Sequence, residues 1–277
     1  AELLAAGLEK VSDNAGKRTL RLRRAVLLLA AGDVAAGRQA LEGIASEYPS
    51  DVDSRALLLE LPSVMADASV AQRYVDDLKK IEGDSGLNWR YHQARVALVS
   101  RDWQTRYDEA LTLLAYCINA DPGWSGPVLL LGGAHERRGD FANAEATYKS
   151  GFRLTGDLAI GDRLLALLQR QRRFVDARDL LQRMEQAIGR RAAAARQIRL
   201  ALDGGRSSDA RSLLELGAAG EAAGPGELLR LATLTYAEKR DLEGAMSWLA
   251  KAEAAGAEPI AVARGRSAIL DAAGKFD

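Results

Sequence analysis

The 277 residues carry 38 basic and 38 acidic side chains, so no global field draws the chain to nucleic acid or to a membrane surface. Aromatic residues make up 5 %, prolines number 6, and Ala and Leu dominate, a mixture that favours helix and places most of the 26 glycines at helix ends. A single cysteine, Cys117, excludes an intramolecular disulfide and any multi-cysteine metal site.

The chain opens AELLAAGLEK, with no initiator Met and no basic-then-apolar leader pattern. This stretch reads as the second helix of a helical hairpin. The longest apolar runs, such as Ala25 to Ala31, fall far short of a membrane span, so no membrane insertion of this segment is expected. Gly32-Asp33-Val34 and Gly37-x-x-x-Leu41 follow, leading to Pro49. Residues 51–86 are irregular. Pro62 removes a backbone donor and disfavours helix at Leu61, so a break is expected there. Trp89 to Gln104 reads as one lengthened helix, followed by Tyr107, Ala110-x-x-x-Leu114, Cys117 and Pro122.

Next comes Val128-x-x-Leu131-Gly132-x-x-His135, then Gly139-Asp140-Phe141 and Ala144-x-x-x-Tyr148. The same frame returns as Arg172-Arg173-Phe174 with Ala177-x-x-x-Leu181, Gly205-Arg206-Ser207 with Ala210-x-x-x-Leu214, and Arg240-Asp241-Leu242 with Ala245-x-x-x-Trp248. The recurrence is about every 33 to 35 residues. Small residues such as Gly132 and Ala144 mark where two antiparallel helices approach closely, and Gly139 ends one helix as Asp140 starts the next.

This pattern resembles the tetratricopeptide repeat (TPR), W-x-x-L-G-x-x-Y, then A-x-x-x-F, then P. The resemblance implies an all-α, right-handed superhelical solenoid of antiparallel helix pairs over the whole of 1–277. Its units fall at 18–50, 51–90 (irregular), 91–124, 125–157, 158–190, 191–225 and 226–259, with partial units at 1–17 and 260–277. The chain stops at the turn Ala273-Gly274-Lys275-Phe276-Asp277, so a segment of a longer array is expected. The apolar face near Ile269 and Leu270 is then expected to be exposed or covered by a neighbouring molecule. Ala- and Arg-rich arrays of this kind are also similar to bacterial arrays serving exopolysaccharide export. That likeness points to the periplasm, with the cytoplasm as the other compartment.

Chemistry-bearing residues are few. His135 occupies an aromatic slot and Cys117 a small-residue slot, so both are assigned to packing, and with His92 the only other histidine no nucleophile–base pair can be placed. Arg138-Gly139-Asp140 spells a cell-adhesion tripeptide but supplies the residues of the interhelical turn. Trp103, Trp124 and Trp248 are assigned to the core, and no nucleotide-binding glycine motif occurs. The expectation is therefore a non-catalytic chain with no cofactor and no metal.

Charge is unevenly placed. First helices of TPR units line the groove, as the resemblance implies, and their groove positions carry Arg55, Arg95, Arg137, Arg170, Arg199 and Arg230. Counted over whole first helices, the excess is about +8, leaving about −8 for the rest of this neutral chain. Arginine forks suit carboxylate, sulfate or phosphate. The expected partner is a protein or peptide of acidic character, with an anionic polysaccharide guided during export as the alternative. The Lys and Asn of the chaperone-binding clamp are missing, since Leu129, Gly133, Ala166 and Ala195 stand at such positions. A structural spacer and a helical glycosidase are the remaining readings; the latter requires paired carboxylates that cannot be placed.

Overall fold

The computed structural model of the chain describes residues 13–219 and 224–275. The helix expected at AELLAAGLEK lies outside the described residues. The chain divides into two compact units, residues 1–160 and 161–277, and among the described residues all regular structure is helical.

In the first unit the order is α1 (Asn14–Ala30), α2 (Val34–Glu47), α3 (Val52–Glu60), α4 (Pro62–Met65), α5 (Ala68–Glu82), α6 (Asn88–Val99), α7 (Tyr107–Ala120), α8 (Ser125–Arg138) and α9 (Phe141–Thr155). Consecutive helices pair, α1 on α2, α6 on α7 and α8 on α9, and each pair stacks on the next through α2 on α3, α5 on α6 and α7 on α8. First helices also touch one another, α3 with α6 and α6 with α8. In the second unit, α10 (Leu158–Arg170) leads to α11 (Phe174–Asp203), α12 (Ser207–Ala219), α13 (Pro225–Lys239), α14 (Leu242–Ala254) and α15 (Pro259–Ala272). There α11 packs on α12, α12 on α13, α13 on α14, and α15 against both α13 and α14. α11 is two helices joined at Gly189, whose φ of 75° and ψ of 161° break the helical path.

Local chemistry starts and stops these helices. Aspartate caps recur: Asp33 accepts from the Ala36 amide at 3.0 Å, Asp140 from Asn143 at 3.2 Å and Asp241 from Gly244 at 2.8 Å. Gly139 closes α8 in the left-handed region at φ 82°, and the Asp140 amide returns to the His135 carbonyl. Arg172 and Arg240 take the same left-handed position in the second unit, at φ 58° and 54°, where a side chain is strained.

The helix crossings are tight where the spacing places small residues. Ala110, Ala144, Ala177, Ala210 and Ala245 are fully buried. A Cβ on Gly132 would lie 2.2 Å from the Tyr148 ring, itself fully buried, so only glycine admits this crossing. Leucines such as Leu58, Leu78, Leu114, Leu181 and Leu249 fill the space between layers, each contributing about 1.5–3 kcal/mol by burial.

Two sequence expectations change. The helix expected over Trp89 to Gln104 ends at Val99, because Ser100 is extended (ψ 158°) and its hydroxyl turns back onto the Ala97 carbonyl at 2.7 Å. The face near Ile269 is not uncovered: Ile269 is 3 % exposed in a cluster with Tyr236, Ala245 and Leu249, and Leu270 is half-buried. The last described helix closes on the pair before it and needs no further layer over Ile269. At Pro62 the chain breaks: Leu61 is extended (ψ 127°), and Pro62 begins α4 as its first residue.

Candidate functional site

The free face of the first helices is readable from α6. Its Gln93 side chain meets Gln72 of α5 at 2.9 Å and Glu109 of α7 at 3.4 Å, so this side lies against the second helices. At about 100° per residue, Tyr91 and Arg95 project roughly opposite to Gln93. Val99, one turn further on, is 60 % exposed. The Tyr91 ring packs at 4.8 Å from Trp124, and the Arg95 guanidinium lies 5.7 Å from its centroid. Trp103, in the turn after α6, carries the Arg137 guanidinium 4.0 Å above its ring. A face of aromatic plates and arginines results, in a chain otherwise poor in aromatics. Assigning every tryptophan to the core missed it; the signal available was the crowding of Trp89, Tyr91, Trp103, Tyr107, Tyr116 and Trp124 into one stretch.

The three first-unit arginines share a structural task. Arg55 is 7 % exposed and donates to the carbonyls of Asp51 at 2.7 Å and Ala45 at 3.0 Å, the latter in the last turn of α2. Arg95 donates to the Leu59 carbonyl at 3.1 Å, at the end of α3, and pairs with Glu60 at 2.6 Å. Arg137 donates to the Leu98 carbonyl at 2.5 Å, at the end of α6. Each guanidinium therefore caps a carbonyl in the last turn of a preceding helix, where the helix dipole is negative. Arg55 is enclosed by this arrangement and is not presented to a partner. Arg95 and Arg137 retain donors at the surface, since a guanidinium carries five N–H groups.

In residues 161–277 the placement differs. Arg170 ends α10, Arg199 lies in the second half of α11 and Arg230 on α13, and all three are exposed. No carboxylate among the described residues pairs with Arg199 or Arg230. The neighbouring Arg196 is held by Asp162 through two bonds of 2.7 Å across 34 residues, one repeat length. Arg211 is held by Glu215 at 2.5 Å and Glu238 at 2.8 Å, which keeps the Glu238 carboxyl, also bonded by Ser207, below its usual range. Among the basic residues of this unit, some are built into the fold and some stand out from it.

The titratable groups with chemical potential are buried in packing roles. Burial pushes His92 down to about 3, helped by the Arg95 charge, so it is neutral. His135, also lowered by burial, shares a 2.7 Å hydrogen bond with the Tyr107 hydroxyl through Nδ1. Burial pushes the Cys117 thiol up to about 11, so it is a thiol and a weak nucleophile. Among the described residues no group of three or more His, Cys, Asp or Glu side chains is placed to hold a metal, and no helix is long and apolar enough to cross a membrane.

No family model matches the chain, and no curated protein matches it. Solved structures match at the level of fold. A thermophilic TPR protein of Thermus thermophilus, TTC0263, is 19 % identical over 67 % of this chain and 98 % of that one, with a TM-score of 0.53. PilF of Pseudomonas aeruginosa is 18 % identical over 80 % of this chain and 97 % of that one, with a TM-score of 0.51. A chain of the Cut9–Hcn1 assembly of the APC/C is 14 % identical over 98 % of this chain and 52 % of that one, with a TM-score of 0.51. At these identities the likeness establishes the fold, an all-α stack of TPR-like helix pairs.

Proposed function

We propose that the chain is a non-catalytic scaffold that binds an acidic protein segment on the free faces of its first helices. The observation that carries this reading is the exposure of Arg199 and Arg230 on the first helices of residues 161–277 without a described carboxylate beside them. An isolated exposed guanidinium keeps its hydration and its long-range field until an anion meets it. Arg170, Arg95 and Arg137 extend the same basic surface within their own units. Arg55 is left out of it, being consumed by the carbonyls of Ala45 and Asp51. The export of an anionic polysaccharide is the alternative occupant of the same arginines.

The test compares two charge-matched variants of the full chain. Arg199→Glu with Arg230→Glu changes the first-helix surface; Arg178→Glu with Arg183→Glu changes exposed positions on the second-helix half of α11. Binding of fluorescent polyglutamate and of polygalacturonate is measured by anisotropy at low and high salt. The first variant is expected to lose polyglutamate binding at least tenfold with unchanged helicity, and affinity is expected to fall with salt as the Debye length shortens below about 8–10 Å. Equal loss in both variants removes the first-helix surface from consideration. A preference for polygalacturonate moves the polymer reading ahead.

A further inference from the structure

The first helix of the described chain has a face that none of the described helices covers. α1 packs on α2 through Ala25, with Leu22 and Leu29 half-buried beside it. On the opposite side Arg23, Val26, Leu27 and Ala30 follow the spacing i, i+3, i+4, i+7 and form one stripe. Val26 is 42 % and Leu27 50 % exposed. Lys17 and Arg24, seven residues apart, run along one edge of it. α1 carries no acidic residue. Its arginines divide into two sets: Arg18 pairs with Asp51 and Asp53, and Arg21 with Glu47, whereas no described carboxylate pairs with Lys17, Arg23 or Arg24.

Within the same unit the other first helices show what such a stripe packs against. α3 lies between α2 and α5, α6 between α5 and α7, and α8 between α7 and α9, so each has a helix on both sides. Among the described helices, α1 packs substantially on α2 alone. We propose that the Arg23–Val26–Leu27–Ala30 stripe docks an amphipathic helix of a partner protein, whose apolar ridge is flanked by carboxylates. The apolar spacing matches helix-in-groove recognition, in which knobs at i, i+3, i+4 and i+7 meet a complementary row. Ala30 leaves room for a large knob from the partner, and the three cations fix the sign of its flanks. Two aliphatic side chains without an aromatic residue give a lipid surface little area to anchor on, which favours a protein helix over a membrane. This surface is separate from the arginines of residues 161–277, so the proposal stands or falls independently of the function proposed above.

The test uses the full chain and a labelled synthetic helix of about 15 residues, with leucines at i, i+3, i+4 and i+7 and flanking glutamates. Anisotropy is expected to show saturable binding that Leu27→Glu weakens at least tenfold. Arg23→Glu with Arg24→Glu, at exposed positions, is expected to abolish its salt dependence, and Arg199→Glu with Arg230→Glu is expected to leave it unchanged. Far-UV circular dichroism verifies that each variant folds. The proposal is overturned if the peptide does not bind at about 100 µM. Equal binding by a scrambled peptide of the same composition overturns it too. So does stronger binding to phosphatidylserine vesicles than to the peptide.

Discussion

Residues 13–160 and 161–277 carry first-helix arginines at comparable places in the repeat and use them differently. In the first unit, α2, α3 and α6 each end in a residue outside the helical and left-handed regions: Tyr48 (ψ 85°), Leu61 (ψ 127°) and Ser100 (ψ 158°). Such endings leave the carbonyls of Ala45, Leu59 and Leu98 without a backbone donor, and Arg55, Arg95 and Arg137 supply one. In the second unit α10 and α13 end with Arg172 and Arg240 in the left-handed region. The turn amides then return to the carbonyls, Arg173 to Leu168 and Arg240 to Tyr236. Their last turns are satisfied locally, and Arg199 and Arg230 stay in solvent. How a helix ends decides whether an arginine in a following helix is structural or available.

The largest expected effect attacks the capping half of this comparison. Arg55→Ala strands two buried carbonyls and should cost about 3 kcal/mol in urea unfolding, whereas Arg199→Ala should change stability by less than about 0.5 kcal/mol. Equal effects would erase the distinction between the two sets.

Acid should separate the units next. Both histidines lie in residues 13–160, and His92 is held down to about 3 by burial and by Arg95. Because the folded value lies below the unfolded 6.5, the unfolded chain takes up a proton first as pH falls. Stability present above pH 6.5 is therefore lost progressively towards pH 3, by roughly 2–3 kcal/mol at two units below the unfolded value. Hydrogen exchange, corrected for its intrinsic pH dependence, should show residues 13–160 opening more readily at pH 4.5 than at 7.5, with residues 161–277 little changed. His92→Gln should flatten the response.

Core contacts should not distinguish the units. Gly132→Ala drives a Cβ into Tyr148, and Ala177→Leu overfills a fully buried site, so each should cost about 1–3 kcal/mol. The adjacent Gly133→Ala meets only the Tyr148 hydroxyl at 4.0 Å and should stabilise by about 0.5–1 kcal/mol. A cost confined to one unit would mean that the repeat is packed differently in the two.

The smallest effect tests the turns. Arg172→Gly should raise stability by about 0.5–1 kcal/mol by relieving a left-handed side chain, and Gly139→Ala should lower it by about 1 kcal/mol. Thermal unfolding of the two variants reads both signs directly.

Much of the fold was legible in the residues themselves. Ala and Leu with few prolines make helix, Asp33, Asp140 and Asp241 start helices, and Gly132, Ala144, Ala177, Ala210 and Ala245 mark the crossings. These are consequences of local propensity and of a repeat whose partners sit within about 35 residues of each other. The arginines were legible as a basic series on first helices, but not as two populations. Arg95 meets a carbonyl 36 residues away and Arg137 one 39 residues away, and both meetings depend on helices cut short at Pro62 and Ser100. Likewise Trp103 became a plate under Arg137 only because α6 stops at Val99 and the chain turns. Sequence alone determined which segments are helices and which of their faces meet. The tertiary structure decided which polar groups are left over, because an orphaned carbonyl acquires a donor only when packing brings another helix to its end.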